Sequence, residues 1–232
     1  MRYLVLCCDY DGTLATEGKV FPETIAALER LIASGRRLIL VTGRELDQLH
    51  SVCPCLNLFE YVVAENGALL YHPATGAETP LGERPPESFV AALRARNVGP
   101  ISVGRVIVAT WEPHETAVLE TIKQQGLELQ VIFNKGAVMI LPAGVNKASG
   151  LSAALGRMGL SPDNAVGIGD AENDHALLAL CACGVAVANA VPSLKEEADI
   201  VTQGARGAGV VELIDALIAD DLRSLTRGAG AG

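Results

Sequence analysis

Asp9 and Asp11, separated by Tyr10 and followed by Gly12, are the residues of this chain best placed to do chemistry. They close an apolar run, Tyr3-Leu4-Val5-Leu6-Cys7-Cys8, whose composition predicts a buried strand. Residues two apart on a strand project to one face, and the C-terminal ends of strands are where open α/β sheets bind ligands. Two crowded carboxylates cost free energy unless a cation or a hydrogen-bond donor compensates them. The pair therefore asks for a metal ion, a basic partner, or both. An EF-hand loop would carry its glycine at the sixth position, whereas Gly12 stands at the fourth. A turn-forming role would need one aspartate and not two.

Three further segments place polar residues where packing alone would not. Thr42-Gly43-Arg44-Glu45 has the Thr-x-x-Glu spacing of a capping box. A helix N-terminus carrying a hydroxyl and free N–H groups is also an anion site. Lys147 falls in the first turn of a predicted helix, where a cation opposes the macrodipole by roughly 0.3–1 kcal/mol. That position makes sense if Lys147 meets a bound anion or balances carboxylates. In Gly169-Asp170-Ala171-Glu172-Asn173-Asp174, Gly167 and Gly169 hint at a dinucleotide loop, but acids replace its third glycine. Asp170 and Asp174 are four apart and share a face at a helix start, where the dipole favours acids. Hard oxygen ligands gathered with those of Asp9 and Asp11 suit Mg²⁺.

The elements that must position these residues alternate. After the first strand, Pro22 to Ser34 reads as a helix with an apolar stripe of Ile25, Leu28, Leu31 and Ile32, stopped by Gly35. A strand at 37–41, a helix at about 44–52 and a strand at 61–64 follow. Asn66-Gly67 signals a hairpin into 68–71. Residues 73–86 hold four of the 11 prolines and read as a linker. A compact α+β pattern comes next: helix 87–96, strand 103–110, helix 115–125, and strands 128–133 and 137–141 turning at Asn134-Lys135-Gly136. The α/β rhythm then resumes with helix 146–158, strand 165–168, helix 173–181, strand 185–187, a short helix at 193–197, strand 200–201 and helix 210–219. Gly-Ala repeats form a frayed C-terminal tail. The expected architecture is a doubly wound, Rossmann-like parallel sheet with a small inserted α+β domain. Its core comprises 1–80 and 143–232, and its insert 81–142.

Composition narrows the function. The chain has 232 residues, 50% of them hydrophobic, and a formal charge of −9. That charge argues against a nucleic-acid or anionic-membrane surface, which would need basic patches. No apolar run is long enough to span a bilayer, and no secretory signal precedes the first strand. The six cysteines occur as Cys7-Cys8, Cys53-Pro54-Cys55 and Cys181-Ala182-Cys183. Such close pairs are poor disulfide partners and lack zinc spacing, so they read as reduced thiols of a cytoplasmic protein.

The four segments in this order, with an insertion between the second and third, resemble the haloacid dehalogenase (HAD) superfamily of aspartate-nucleophile phosphatases. Asp9-Tyr-Asp11-Gly-Thr13, Thr42-Gly-Arg44, Lys147 and Gly169-Asp170-x-Glu-Asn173-Asp174 are similar to its four motifs. The insertion point, Glu65-Asn66-Gly67-Ala68 and Gly184-Val-Ala-Val-Ala-Asn189-Ala190 resemble its subclass IIB of Cof-like and sucrose-phosphatase-like enzymes. The resemblance implies Asp9 as nucleophile, Asp11 as acid and base, and Lys147 as a third catalytic group. It implies phosphate contacts from Thr42 and Lys147, with Gly43, Arg44 and Asn173 beside them. It also implies Mg²⁺ held by Asp9, Asp170, Asp174 and the Asp11 carbonyl. The inserted cap would read the leaving group, with Arg105, His114, Asn134 and Lys135 as candidate contacts. The expected activity is hydrolysis of a small phosphorylated metabolite, of sugar phosphate, phosphoglycolate or phosphoglycerate type, by a monomer or homodimer. A sugar phosphomutase, or a non-catalytic phosphate-binding domain, is the alternative.

Overall fold

The computed structural model describes residues 1–226, so the Gly-Ala repeats beyond them lie outside the described residues. Strands β1 (Val5–Asp9), β2 (Arg37–Val41), β3 (Tyr61–Ala64), β4 (Leu69–His72) and β5 (Ala77–Pro80) belong to a larger sheet. A smaller sheet takes β6 (Ser102–Val103), β7 (Val108–Trp111), β8 (Leu129–Asn134) and β9 (Ala137–Pro142). The larger sheet is completed by β10 (Ala165–Gly169), β11 (Cys183–Ala186) and β12 (Ile200–Val201). Helices α1 (Pro22–Ala33), α2 (Leu46–Val52), α3 (Glu87–Ala95), α4 (Glu115–Gln125), α5 (Lys147–Met158), α6 (His175–Leu180), α7 (Pro192–Glu197) and α8 (Gly207–Asp220) connect them.

The larger sheet runs β12-β11-β10-β1-β2-β3-β4-β5, parallel from β12 to β3 and antiparallel at β4 and β5. Every residue of β1 is buried, as expected of a strand covered on both faces. The β1-to-β2 and β10-to-β11 crossovers step in opposite directions, so right-handedness puts α1 and α6 on opposite faces. Helix α8 packs on α1, and α5 packs on α6. The reversal falls between β1 and β10, which makes their C-terminal ends the crevice of the sheet. Asp9 ends β1, and Asp170 directly follows β10.

The smaller sheet obeys the two-residue alternation of strands. Val108, Val138 and Ile140 face α3 and α4, where they meet Phe89, Leu93 and Val118. Ala109, Ala137, Met139 and Leu141 turn the other way, toward Ala68 and Val145 of the large-sheet unit.

Four local expectations are corrected. Strand 103–110 is two strands, β6 and β7, reversed through a turn closed by the Gly104 N–H on the Ile107 carbonyl, with the Glu65 carboxylate accepting from three amides of the turn. The linker at 73–86 contains β5, an edge strand that tolerates Pro80 at its end. Helix 173–181 opens as a tight turn at Glu172–Asp174 before α6 starts. The capping box at Thr42/Glu45 does not form: α2 starts at Leu46, and Glu45 keeps extended backbone. The Glu45 carboxylate instead accepts from the Ser102 hydroxyl of β6.

Candidate active site

Asn146 caps α5 by accepting from the Ser149 N–H at 3.0 Å, while the Ser149 hydroxyl accepts from the Asn146 N–H at 2.9 Å. The cap fixes Lys147 as the first helical residue. Its side chain is 1% exposed, and Nζ donates to Asp9 Oδ1 and to Asp174 Oδ1, each at 2.6 Å. Asp174 turns its other oxygen to the N–H groups of Asp170 and Ala171, both at 3.0 Å. Gly67 lets this helix start come close: its φ is +105°, and a Cβ there would collide with the Asn146 carbonyl.

Two buried carboxylates share this one ammonium. Burial first, and the neighbouring Asp174 next, push the Asp9 carboxyl up to about 8, against the lowering pull of Lys147. Burial alone would lower the Lys147 ammonium, but Asp174 and Asp9 outweigh it and raise it.

Asp170 adds a third buried carboxylate. Its Oδ1 accepts from the Thr13 hydroxyl at 3.0 Å, and its Oδ2 from Lys135 Nζ at 2.9 Å. Lys135 also donates to the Asp11 carbonyl at 2.9 Å. Gly12 permits this approach: at φ +90°, any Cβ would strike the Asp170 carboxylate. Oxygens of Asp9, Asp170 and Asp174 lie within 4.8 Å of one another, a group able to hold a metal ion. The donor set fits a hard divalent cation, since all its atoms are oxygens. The excess of carboxylates over ammonium groups around Asp9, and the reach of Lys135 to Asp170 and the Asp11 carbonyl, both show a demand for positive charge.

Asp11 faces differently. Its carboxylate takes both arms of the Arg44 fork, at 2.6 and 2.7 Å. Arg44, expected on phosphate, is thus engaged with Asp11, because the bidentate fit of guanidinium to carboxylate is favoured at half-buried sites. Thr42 is buried, and its hydroxyl accepts from the Arg44 N–H at 3.1 Å. Asn173 Nδ2 donates to Asn66 Oδ1 at 3.0 Å beside Gly43, while Asn66 Nδ2 and Asn173 Oδ1 are buried without a partner.

A cavity of about 640 Å³ opens above these groups. Asp9, Asp11, Thr42, Gly43, Arg44 and Asn173 form its floor, and the smaller sheet roofs it with Ile107, Ala109, Trp111, Ala137 and Met139. Of the four polar insert residues expected to face it, Asn134 and Lys135 do. Arg105 instead forks onto Asp47 and reaches Glu78, and His114 meets the Gly99 carbonyl.

The sequence reading gave Glu65 no role of its own. Fully buried at φ +52°, it accepts from the N–H groups of Arg105, Val106 and Ile107 at 2.8, 2.7 and 2.9 Å. Its sequence signals are an acid directly after an apolar strand and its place in the Glu65-Asn66-Gly67-Ala68 stretch that resembles subclass IIB. Trp111, exposed at the cavity wall, carries no such signal, while Asn189, whose amide donates to the Gly12 carbonyl at 2.9 Å, stands in the Gly184–Ala190 stretch that resembles subclass IIB.

Comparisons with known proteins show the family and the fold. A family model described as haloacid dehalogenase-like hydrolase matches residues 6–105 and 102–214. The chain is 30% identical over 221 residues to phosphoglycolate phosphatase 2 of Saccharolobus solfataricus, covering 93% of this chain and 92% of that one. Among solved structures, Thermoplasma acidophilum 0175 superposes with a TM-score of 0.81 at 16% identity, covering 93% and 98% of the two chains. The subclass IIB sugar phosphatase BT4131 gives 0.72 at 21% identity, covering 92% and 97%.

Proposed function

The chain belongs to the haloacid dehalogenase-like hydrolases and is a phosphatase of small phosphorylated metabolites; on that premise we propose a Mg²⁺-dependent reaction through an aspartyl-phosphate on Asp9. One observation carries this reading: Asp9 stands at the cavity floor with one oxygen fixed by Lys147 and two more acids beside it.

The Asp9 carboxylate attacks phosphorus and forms an acyl phosphate as the ester oxygen departs. Asp11 donates a proton to that oxygen. It then takes one from the water that attacks phosphorus and frees Asp9, a role typically worth about 10²–10⁴-fold. Arg44 orients Asp11 in its ionised form, and one arm of the fork must let go of the carboxyl when Asp11 carries the proton. Thr42, Gly43 and Asn173 hold phosphoryl oxygens, and Lys147 fixes the attacking carboxylate. Asp9, Asp170 and the Asp11 carbonyl would hold Mg²⁺, with Asp174 beside them. The ion would supply positive charge against the repulsion between Asp9 and phosphate. Residues 81–142 act as the cap that excludes water and reads the leaving group.

Phosphoglycolate is the substrate we favour, on the strength of the curated relatives, with small sugar phosphates second, since the cavity has room for either. The six free cysteines suit a reducing compartment, and we infer a cytoplasmic enzyme. Among the described residues no helix is long and apolar enough to cross a membrane. The deciding experiment measures phosphate release from phosphoglycolate with and without Mg²⁺, in the wild type and in Asp9→Asn. Release should need the ion and should vanish in the variant; full activity in the variant would end the reading.

A further inference from the structure

Lys135 stands at the tip of the β8–β9 hairpin. With φ of +49° and +83° at Lys135 and Gly136, and Asn134 paired to Ala137, the turn is the tight two-residue kind. Such a turn aims its side chain without loop slack. The ammonium crosses from the insert to the floor of the site, onto Asp170 Oδ2 and the Asp11 carbonyl. Asp170 has committed its other oxygen to Thr13. Lys135 is also the charged side chain that the insert contributes to the cavity wall; its neighbours there are apolar or neutral.

We propose that Lys135 is an exchangeable cation: it occupies Asp170 and the Asp11 carbonyl until a divalent cation does, and is then released into the cavity to meet a negatively charged leaving group. The inference rests on the divalent-cation reading of the acidic cluster. Two cations cannot share the same two oxygens, because like charges at that distance repel strongly in a half-buried site. The displaced ammonium keeps its stem on the rigid hairpin, and the other acids lining the cavity are already engaged, Asp9 by Lys147, Asp11 by Arg44 and Glu45 by Ser102. A leaving group carrying a carboxylate supplies the missing partner. Metal and acidic substrate therefore help one another bind, each by removing Lys135 from its competitor's cost.

Two measurements test this. The first is calorimetric titration of Mg²⁺ into the full chain, comparing wild type with Lys135→Met. Methionine keeps the unbranched stem at a side chain that is 48% exposed, so folding is spared. Lys123→Met, which deletes an exposed charge on α4, controls for net charge. Lys135→Met should bind Mg²⁺ about fivefold or more tightly, the lower end of typical coupling between sites, and Lys123→Met should match the wild type. Equal or weaker Mg²⁺ binding in Lys135→Met overturns the proposal. So does an equal gain in Lys123→Met. The second is the ratio of KM for phosphoglycolate to KM for 4-nitrophenyl phosphate at saturating Mg²⁺. Lys135→Met should raise this ratio roughly tenfold, the scale of one charge-assisted hydrogen bond. An unchanged ratio overturns the handover. Failure of Mg²⁺ to bind the wild type or either variant would instead strike the metal reading itself.

Discussion

Lys147 and Asp9, 138 residues apart in sequence, meet through a buried 2.6 Å hydrogen bond, and the same ammonium holds Asp174 at the same distance. This triad ties the first strand to the last third of the chain at the point where chemistry is expected. It is also where the fold concentrates charge that only a partner can make tolerable.

Removing that ammonium leaves two buried carboxylates facing each other. Lys147→Met should cost about 3–5 kcal/mol in unfolding free energy, the usual loss when one partner of a buried pair is deleted. Pairing it with Asp174→Asn should recover part of the loss, because an amide oxygen still accepts from the Asp170 and Ala171 N–H groups without adding charge. Denaturant titration of the two single variants and the double variant checks this. Strictly additive losses would contradict the coupling.

The raised Asp9 carboxyl makes metal-free stability fall with pH. Its folded value lies near 8 against 3.8 for the free group, so the folded state holds the extra proton between them. Stability from this group is therefore full below about pH 4 and is lost as pH rises toward 8. A divalent cation must displace that proton at low pH and meets a ready carboxylate at high pH. The rise in melting temperature on adding Mg²⁺ should thus be larger at pH 8 than at pH 5, as thermal denaturation at fixed ion concentration would show. A larger rise at pH 5 would refute the assignment.

Asp11→Asn keeps the shape of the side chain and removes its proton. Turnover of phosphoglycolate should fall by about 10²–10⁴-fold. Turnover of 4-nitrophenyl phosphate, whose leaving group needs less protonation, should fall less in the first step. Single-turnover kinetics on both esters separates the two effects. Equal losses in the phosphoryl-transfer step would argue against Asp11 as the acid.

Glu65→Ala removes the acceptor shared by three amides of the β6–β7 turn. Hydrogen bonds to a charged acceptor are worth about 1.5–3 kcal/mol each, and solvent can reach part of this turn, so a loss of about 3 kcal/mol is expected. Hydrogen exchange should quicken at Arg105, Val106 and Ile107 and stay slow in β1. Unchanged exchange at those amides would show that the apolar contact between the two sheets suffices alone.

How much of this was readable from sequence depends on range. The alternation of apolar runs and turn residues was enough for the large sheet, because β1, β2, β3 and β10 are buried on both faces. The acids at 9, 11, 170 and 174 stood out because packing would not select them. Contacts made by a side chain on distant backbone were hidden. Nothing near Val103–Thr110 says that a carboxylate 40 residues earlier will reverse the strand. Arg44 was read toward phosphate because its local setting is a helix start; its fork found Asp11 instead. The capping box at Thr42 and Glu45 fails for the same reason: the spacing is local, but the Ser102 hydroxyl that Glu45 accepts from belongs to the insert.

The pairing of Val5 with Ala165 has a consequence during synthesis. β2 follows β1 closely and can cover one of its edges early. The other edge, a row of unpaired backbone N–H and C=O groups on a mostly apolar strand, waits for β10. Val5 and Ala165 are 160 residues apart, so at about 5–20 residues per second that interval is roughly eight to thirty seconds on the ribosome. Throughout it the nascent chain carries an open hydrophobic strand, the feature most prone to intermolecular pairing. The seam between β1 and β10 thus closes late in synthesis, and slow or interrupted translation should lower the yield of folded chain.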